Sequence, residues 1–214
     1  AASDVYKRQT QGFSRAKQPI VISAQHATHL CALNDIKPST VTMTLEKAKA
    51  CFEDGKSAME EENWVKAASS FYMAHQFNPK NAEYKALWEE TQVKSNQTRA
   101  AQFIALAENA ESFRNVREAM ENYKKATECD PQEGTAHYRF GQLLNEFSGD
   151  ARSAMQQFRL AVQKEPDNVR YRMALAQLYL SQNMNKNAVR EYQKVVELEP
   201  KNKDAKSALR KLRF

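Results

Sequence analysis

Apolar residues recur along most of the chain at helical spacing. An alanine, an aromatic residue four positions later and a small apolar residue three further on share one helical face, because a helix has 3.6 residues per turn. Four segments carry this triplet: Ala67/Phe71/Ala74, Ala119/Tyr123/Ala126, Ala154/Phe158/Ala161 and Ala188/Tyr192/Val195. A second amphipathic run precedes each segment, and a short polar break separates the two runs. The pattern predicts four helical hairpins.

A proline follows the second helix of every hairpin. These residues are Pro79, Pro131, Pro166 and Pro200, and they are 52, 35 and 34 residues apart. Proline cannot continue the hydrogen-bond ladder, so each one ends a helix. Three of them are followed two residues later by an asparagine that we expect to cap the next helix: Asn81, Asn168 and Asn202. Glu133 stands at the fourth such position, and there we expect Thr135 to cap instead.

The interval of 52 residues equals one unit of 34 plus 18 extra residues. Eighteen residues make about five helical turns, so an inserted helix would keep its apolar face in register. Residues 82–94 are helical in character, and the polar residues 95–98 follow them. We therefore favour one long helix over residues 82–113, with two separate helices as the alternative.

At these residues the chain resembles the tetratricopeptide repeat (TPR) family. That family's unit of about 34 residues has a small residue and an aromatic four apart in its second helix, helix B, and then a proline. The close-packing glycine of its first helix, helix A, is kept at Gly55 and Gly141 and becomes Ala107 and Ala176. The leucine before it stands at Leu106 and Leu175. The resemblance covers about residues 48–214 and implies an all-α fold, an α-solenoid of stacked helix-turn-helix hairpins with a C-terminal capping helix.

The resemblance divides residues 45–214 into repeats 48–81, 100–133, 134–168 and 169–202. A helical extension, 82–99, precedes the second repeat, and a capping helix, 203–213, covers the last, as solenoid ends require. Residues 1–44 contain Pro19, Pro38 and a short β-prone run at 20–22, without a sustained period. We predict that they are a lead-in, partly disordered or a non-native linker. The expected context is the C-terminal module of a larger bacterial protein.

In TPR proteins a groove on the concave face binds peptides or partner segments, and residues of helix A line it. Carried over to this sequence, those positions are Lys49, Phe52, Lys56, Met59, Ile104, Glu108, Tyr138, Gln142, Arg170, Met173 and Gln177. Phe52, Ile104, Tyr138 and Met173 are candidate anchors for a partner, and packing against neighbouring repeats is the alternative for them. The resemblance thus implies a scaffold or adaptor for protein–protein interaction.

One TPR subclass binds the C-terminal carboxylate of heat-shock chaperones with a clamp that begins with Lys and Asn. Here those two positions hold Phe52 and Lys56, so the sequence does not support that partner class. Two alternatives remain for the function. One is a regulatory or substrate-binding tail of a larger enzyme or J-domain co-chaperone. The other is weak nucleic-acid association through the basic C-terminal end.

The net charge is +6, and the last fourteen residues carry +5. A solvated terminal helix is the simplest interpretation of that basic end, and nucleic-acid binding is not the expected role. The longest apolar stretch has five residues, far fewer than a membrane span or a signal peptide needs. Three cysteines without a paired motif favour a reducing, cytoplasmic setting.

The sequence contains few residues that could form a metal site or a catalytic site. His26, His29 and Cys31 lie within six residues, but a zinc site needs four ligands, and no second pair is near in sequence. His75 is predicted to be a half-buried packing residue and His137 to be exposed at the start of a helix A. No phosphate-binding glycine loop or nucleophile motif is present in the sequence. We predict no enzymatic activity, metal or cofactor.

Overall fold

The computed structural model describes residues 38–212, and within that range the chain is an α-solenoid. Its helices are α1 (Pro38–Glu60), α2 (Trp64–Phe77), α3 (Ala82–Ser112), α4 (Val116–Cys129), α5 (Gly134–Leu143), α6 (Ala151–Lys164), α7 (Val169–Ser181), α8 (Asn185–Leu198) and α9 (Lys203–Leu212). A π-helical turn, Leu144–Ser148, continues α5. The pairs α1/α2, α3/α4, α5/α6 and α7/α8 form hairpins, and α9 packs on α8.

The alanine–aromatic triplets form the interior of the hairpins. All twelve of their residues are buried in the structure. The glycine of helix A lets the two helices approach, because a Cβ on Gly55 would lie 2.7 Å from Cε1 of Phe71. A Cβ on Gly141 would lie 2.9 Å from the ring of Phe158. Both contacts are shorter than real side chains make, so the close-packing role predicted for these two glycines is confirmed.

The turn inside every hairpin contains one residue in the left-handed backbone conformation. Glu62, Arg114, Gly149 and Asn183 adopt left-handed φ angles of 55°, 57°, 63° and 59°. In three of the turns the next amide donates to the carbonyl five residues back, as Asn63 N does to Ala58 O at 2.8 Å. Such a bond satisfies a carbonyl that the end of the helix leaves free. The predicted polar breaks are therefore true hairpin turns.

Side-chain caps start the helices as the prolines suggested, with one exception. Asn81, Asn168 and Asn202 each accept a backbone N–H of the helix that follows. The prediction of a Thr135 cap is wrong, because Oε1 of Glu133 accepts the Thr135 amide at 3.0 Å. The Thr135 hydroxyl instead lies 3.2 Å from the hydroxyl of Tyr171, in the next repeat.

The described part of helix α1 starts at Pro38, so residues 38–44 of the predicted lead-in are helical. The rest of that lead-in, with His26, His29 and Cys31, lies outside the described residues.

Helix α3 is a single helix of 31 residues, so the favoured sequence interpretation is confirmed. Its first half packs on the first hairpin, where the rings of Tyr84 and Phe52 lie 4.7 Å apart and Trp88 stacks on His75 at 5.6 Å. Its second half packs on α4, where Nζ of Lys125 lies 5.9 Å from the ring centroid of Phe103. One helix thus serves as a helix A for two successive units.

This double use leaves part of each half of α3 without a helical neighbour. Along the first half, the face that would meet a helix B of its own is exposed and carries one alanine and three polar residues: Ala82, Lys85, Glu89 and Gln92. Along the second half, Leu106 lies 18 residues after Trp88 and so points in the same direction around the helix axis. Within the described chain no helix covers it there, and Leu106 is 52% exposed. Phe113, at the end of the same helix, is 80% exposed.

Candidate functional site

The helix A groove is a cavity of about 600 Å³ between α5, α7 and the start of α9. Five of the residues predicted to bind a partner line it: Tyr138, Gln142, Arg170, Met173 and Gln177. Asn145, Glu146, Asn202 and Asp204 complete its polar rim. The two regular repeats of 35 and 34 residues therefore bring these helix A positions to one cavity.

Tyr138 is a platform within this groove rather than a free anchor. Its ring is buried, stacked on Tyr171 at 4.8 Å and tilted against Phe158 at 5.8 Å. The Tyr138 hydroxyl accepts a hydrogen bond of 3.1 Å from Nε of Arg170. The Arg170 guanidinium also lies over the Tyr138 ring, with Cζ 5.0 Å from the centroid. These contacts hold an exposed cation at a defined place on the groove wall.

Side-chain amides supply most of the remaining chemistry. Gln142, Asn145 and Gln177 each carry an N–H donor and a carbonyl acceptor. The Asn202 amide is already engaged, because it donates to Glu199 at 2.9 Å and accepts the Ala205 amide at 3.0 Å. Gln142 already accepts a bond of 3.3 Å from Arg139, whereas Gln177 is exposed. Met173 is half-buried and adds a flexible apolar surface. Such a surface can pair with the N–H and C=O groups of an extended main chain.

The residues predicted in the first repeat lie in a different setting. Phe52 is buried between Phe71, at 5.6 Å, and Tyr84. Nζ of Lys56 lies 4.3 Å from the Phe52 ring centroid and 3.2 Å from a Glu53 oxygen. Met59 is half-buried against the same core, and Lys49 is exposed. Phe52, like Tyr138, therefore packs between repeats, which is the alternative that the sequence left open.

Ile104 and Glu108 lie on the second half of α3. Ile104 is half-buried against the core of the α3/α4 hairpin, and Glu108 is exposed. The matching positions on the first half of α3, eighteen residues earlier, are Ala86 and Glu90, which sequence reasoning missed. Eighteen residues separate the two sets, about 27 Å along a helix axis. The interval of 18 residues was the signal in the sequence for these positions. It equals about five helical turns, so residues 18 apart on α3 lie on the same face of the helix.

Comparison with known proteins agrees with this architecture. A sequence profile of the tetratricopeptide repeat matches residues 148–212, which span α6, α7, α8 and α9. The chain contains a TPR module. No curated protein matches the sequence significantly.

Solved TPR domains have a similar fold. The first TPR domain of Spaghetti (RPAP3), solved with an HSP90 peptide, has a TM-score of 0.50 at 20% identity and covers 55% of this chain and 92% of its own. The second TPR domain of human RPAP3, solved with an HSP70 peptide, has a TM-score of 0.50 at 14% identity, with coverages of 56% and 98%. At these identities the likeness shows the fold of the TPR module.

An ion pair joins the second and third TPR units. Nη2 of Arg139 on α5 lies 3.1 Å from Oε2 of Glu111 at the end of α3. The Tyr123 hydroxyl donates to the same Glu111 oxygen at 3.2 Å. Burial and the neighbouring Glu111 charge raise the pKa of Tyr123 to about 12. Glu111 thus connects the end of α3 to α5, one of the helices that line the helix A groove.

The two histidines of the TPR module have structural surroundings. His75 is half-buried, as predicted, and stacks on Trp88; its Nδ1 is buried and makes no hydrogen bond to a described residue. The prediction that His137 is exposed is wrong, because this side chain is buried. Its Nδ1 lies 2.7 Å from Oε1 of Gln157, and its Nε2 lies 3.3 Å from the Pro131 carbonyl oxygen. His137 thereby ties the repeat boundary to α6.

The described part of the TPR module has neither a metal-binding cluster nor a helix suited to a membrane. Residues 42–212 contain no cluster of three His, Cys, Asp or Glu side chains that could hold a metal ion. Cys51 and Cys129 are free and half-buried. Over the same stretch, every helix is too short or too polar to cross a bilayer.

Proposed function

We propose that this TPR module is a protein-interaction scaffold that holds an extended segment of a partner in the helix A groove. The observation that supports this most is the convergence of Tyr138, Gln142, Arg170, Met173 and Gln177 on one cavity of about 600 Å³. Cavities of about 300–1,000 Å³ are typical of binding sites. Repeat proteins use the surfaces formed by successive helices in this way.

The lining favours a main chain over a strongly charged ligand. Apart from the engaged Asn202, three amide side chains line the groove together with one cation, Arg170, and two carboxylates, Glu146 and Asp204. Amides donate and accept at once, as the groups of a peptide backbone do. Met173 supplies an adaptable apolar contact for a side chain of the bound segment. We infer a peptide segment with few charges, held by its backbone.

The lining argues against a chaperone carboxylate as the ligand. The RPAP3 domains were solved with HSP90 and HSP70 peptides. In this chain Phe52 is buried, Lys56 lies over its ring, and Arg170 is the one cation among the residues that line the helix A groove. A clamp for a terminal carboxylate needs several cations close together. We therefore expect partners of another class.

A matched pair of glutamine variants tests the proposal. Gln177→Arg places a bulky cation inside the groove, whereas Gln193→Arg places the same side chain on an exposed site of α8. We expect partners captured from the source cell by the wild-type chain to be lost with Gln177→Arg and retained with Gln193→Arg. Equal capture by all three proteins would contradict binding in the groove.

The basic helix α9 supports the weaker alternative of nucleic-acid association. Lys203, Lys206 and Arg210 are exposed, share one face, and form no ion pair within the described chain. Binding through such a stripe would weaken steeply with added salt. Absence of binding to generic DNA and RNA at low salt would exclude this alternative without affecting the helix A groove.

A further inference from the structure

A second cavity lies on the helix B side of the last two repeats. It measures about 470 Å³ and is bounded by α6, α7 and α8. Met155, Arg159 and Val162 form one wall, at positions i, i+4 and i+7 of α6. Leu175 and Tyr179 of α7 form the floor, and Arg190 of α8 forms part of the opposite wall. We call this the helix B cavity. None of its residues belongs to the helix A groove.

The charge of this cavity is positive and uncompensated. Arg159 and Arg190 both line it and are exposed, and neither has an ion-pair partner within the described chain. One carboxylate, Glu191, also lines the cavity. Its Oε2 lies 2.7 Å from Nη1 of Arg172, so its charge is already neutralised. Two guanidinium groups therefore remain free to bind an anion.

A buried tyrosine adds a free hydrogen-bond donor. Tyr179 is 7% exposed, and its hydroxyl makes no hydrogen bond to any described residue. The buried residues Tyr84 and Tyr192 also make no hydroxyl hydrogen bond to a described residue, so what distinguishes Tyr179 is that it lines the cavity. Its hydroxyl is open to solvent, because among the described residues the buried side-chain polar atom without a partner is Nδ1 of His75. Burial raises the pKa of Tyr179, the nearby Arg159 charge lowers it, and the Glu191 charge raises it, so the phenol lies close to both of these charges.

We propose that the helix B cavity binds an acidic segment of a protein partner, with an apolar side chain on its floor. Carboxylates of the segment would accept from Arg159, Arg190 and the Tyr179 hydroxyl, because charged acceptors pair best with guanidinium donors. The apolar side chain would contact Met155, Val162 and Leu175. The match of charge and apolar floor is what favours this occupant over a basic or fully polar one.

The probe is a fluorescent pentapeptide library with Asp or Glu at the four outer positions and Leu, Met or Phe at the centre. We expect saturable binding to the full chain, measured by fluorescence polarisation. Arg159→Gln combined with Arg190→Gln should weaken binding about tenfold or more, since a charge-assisted hydrogen bond contributes about 1.5–3 kcal/mol. Tyr179→Phe, which keeps the ring, should weaken it about threefold. Replacing the central residue by Ser should also reduce affinity.

The matched control removes two arginines elsewhere. Arg99→Gln combined with Arg210→Gln lowers the net charge equally at exposed sites that do not line the cavity. We expect its affinity for the probe to stay within about twofold of wild type. Equal weakening by both double variants would mean non-specific attraction and would overturn the proposal. So would loss of binding with Gln177→Arg, which blocks the other groove, or no saturable binding up to about 1 mM probe.

Discussion

Leu106 and Leu175 occupy the same position of the second and fourth repeats, yet their surroundings are opposite. Leu175 is 2% exposed and lies beside α6 of the preceding repeat, whereas Leu106 is 52% exposed. The difference follows from the 18 extra residues of α3, which shift the second repeat about five turns away from the first hairpin. The place beside Leu106 that a preceding repeat would fill is therefore empty of helices within the described chain. Position in a repeat predicts burial only where the neighbouring repeat is also in place.

The same comparison explains where the helix A groove forms. Tyr138 and Phe52 are both buried and pack on an aromatic ring of the next helix A: Tyr138 is stacked on Tyr171, and Phe52 is tilted against Tyr84. After Tyr171 the chain turns back as α8 in a regular hairpin. After Tyr84 it continues along α3 instead. The helix A positions converge only where successive hairpins follow at 34 or 35 residues.

The largest expected effect is on the free energy of unfolding, and it differs between alanine variants of the two leucines. Leu175→Ala should lower the free energy of unfolding by about 2–5 kcal/mol, because it leaves a cavity in the core between repeats. Leu106→Ala should change it by less than about 1 kcal/mol, since the side chain is already half in water. Denaturant unfolding of the two variants measures both values. Equal losses would mean that Leu106 has a packing neighbour after all.

A smaller effect is expected inside a hairpin, where the repeats are complete. Gly141→Ala places a Cβ 2.9 Å from the Phe158 ring and 3.2 Å from Cβ of Gln157. We expect a loss of about 1–3 kcal/mol from overpacking. At an unconstrained helical site the same substitution would stabilise the chain by roughly 0.5–1 kcal/mol. A stabilising result in thermal or denaturant unfolding would contradict the close packing of α5 on α6.

The third effect is absent at neutral pH and concerns Tyr123, which is buried in the second repeat. The folded chain holds the Tyr123 proton more tightly than the unfolded chain, because the pKa rises from the usual value near 10 to about 12. This contribution is complete below pH 10 and is lost as pH rises toward 12, at most about 1.4 kcal/mol per pH unit. Tyr123→Phe should flatten the decline of stability in that window. Tyr72→Phe, at an exposed site, should leave it unchanged.

The sequence predicts the repeats well because each hairpin is specified locally. The triplets around Phe71 and Phe158, the glycines opposite them and the prolines at the repeat ends all act within one unit. Contacts between units are harder to predict. His137 is buried because Gln157 and the Pro131 carbonyl face it, and Glu133 caps a helix because its side chain is long enough to reach the amide.

The candidate site shows the same contrast between positions set by the repeat pattern and contacts made between units. Tyr138, Gln142, Arg170, Met173 and Gln177 line one cavity, because two regular repeats place them side by side. Their role in binding stays a prediction. The prediction could not resolve that Tyr138 and Phe52 use their rings for packing, since the exposure of a ring depends on the next repeat. It also missed the helix B cavity, whose Arg159, Tyr179 and Arg190 come from three helices and form no motif along the chain.

Thiol labelling at position 106 tests the central claim, that the extension of α3 removes the neighbour of Leu106. The measurement uses Leu106→Cys and Leu175→Cys in a chain whose native cysteines are replaced by alanine, with and without residues 82–99. In the full-length chain we expect Leu106→Cys to label at nearly the rate of a free thiol and Leu175→Cys to be protected. Deleting 82–99 joins Asn81 to Ala100 in helical register, and the thiol at 106 should then become protected. Protection of that thiol in the full-length chain, or no change on deletion in a chain that stays folded, would contradict the account.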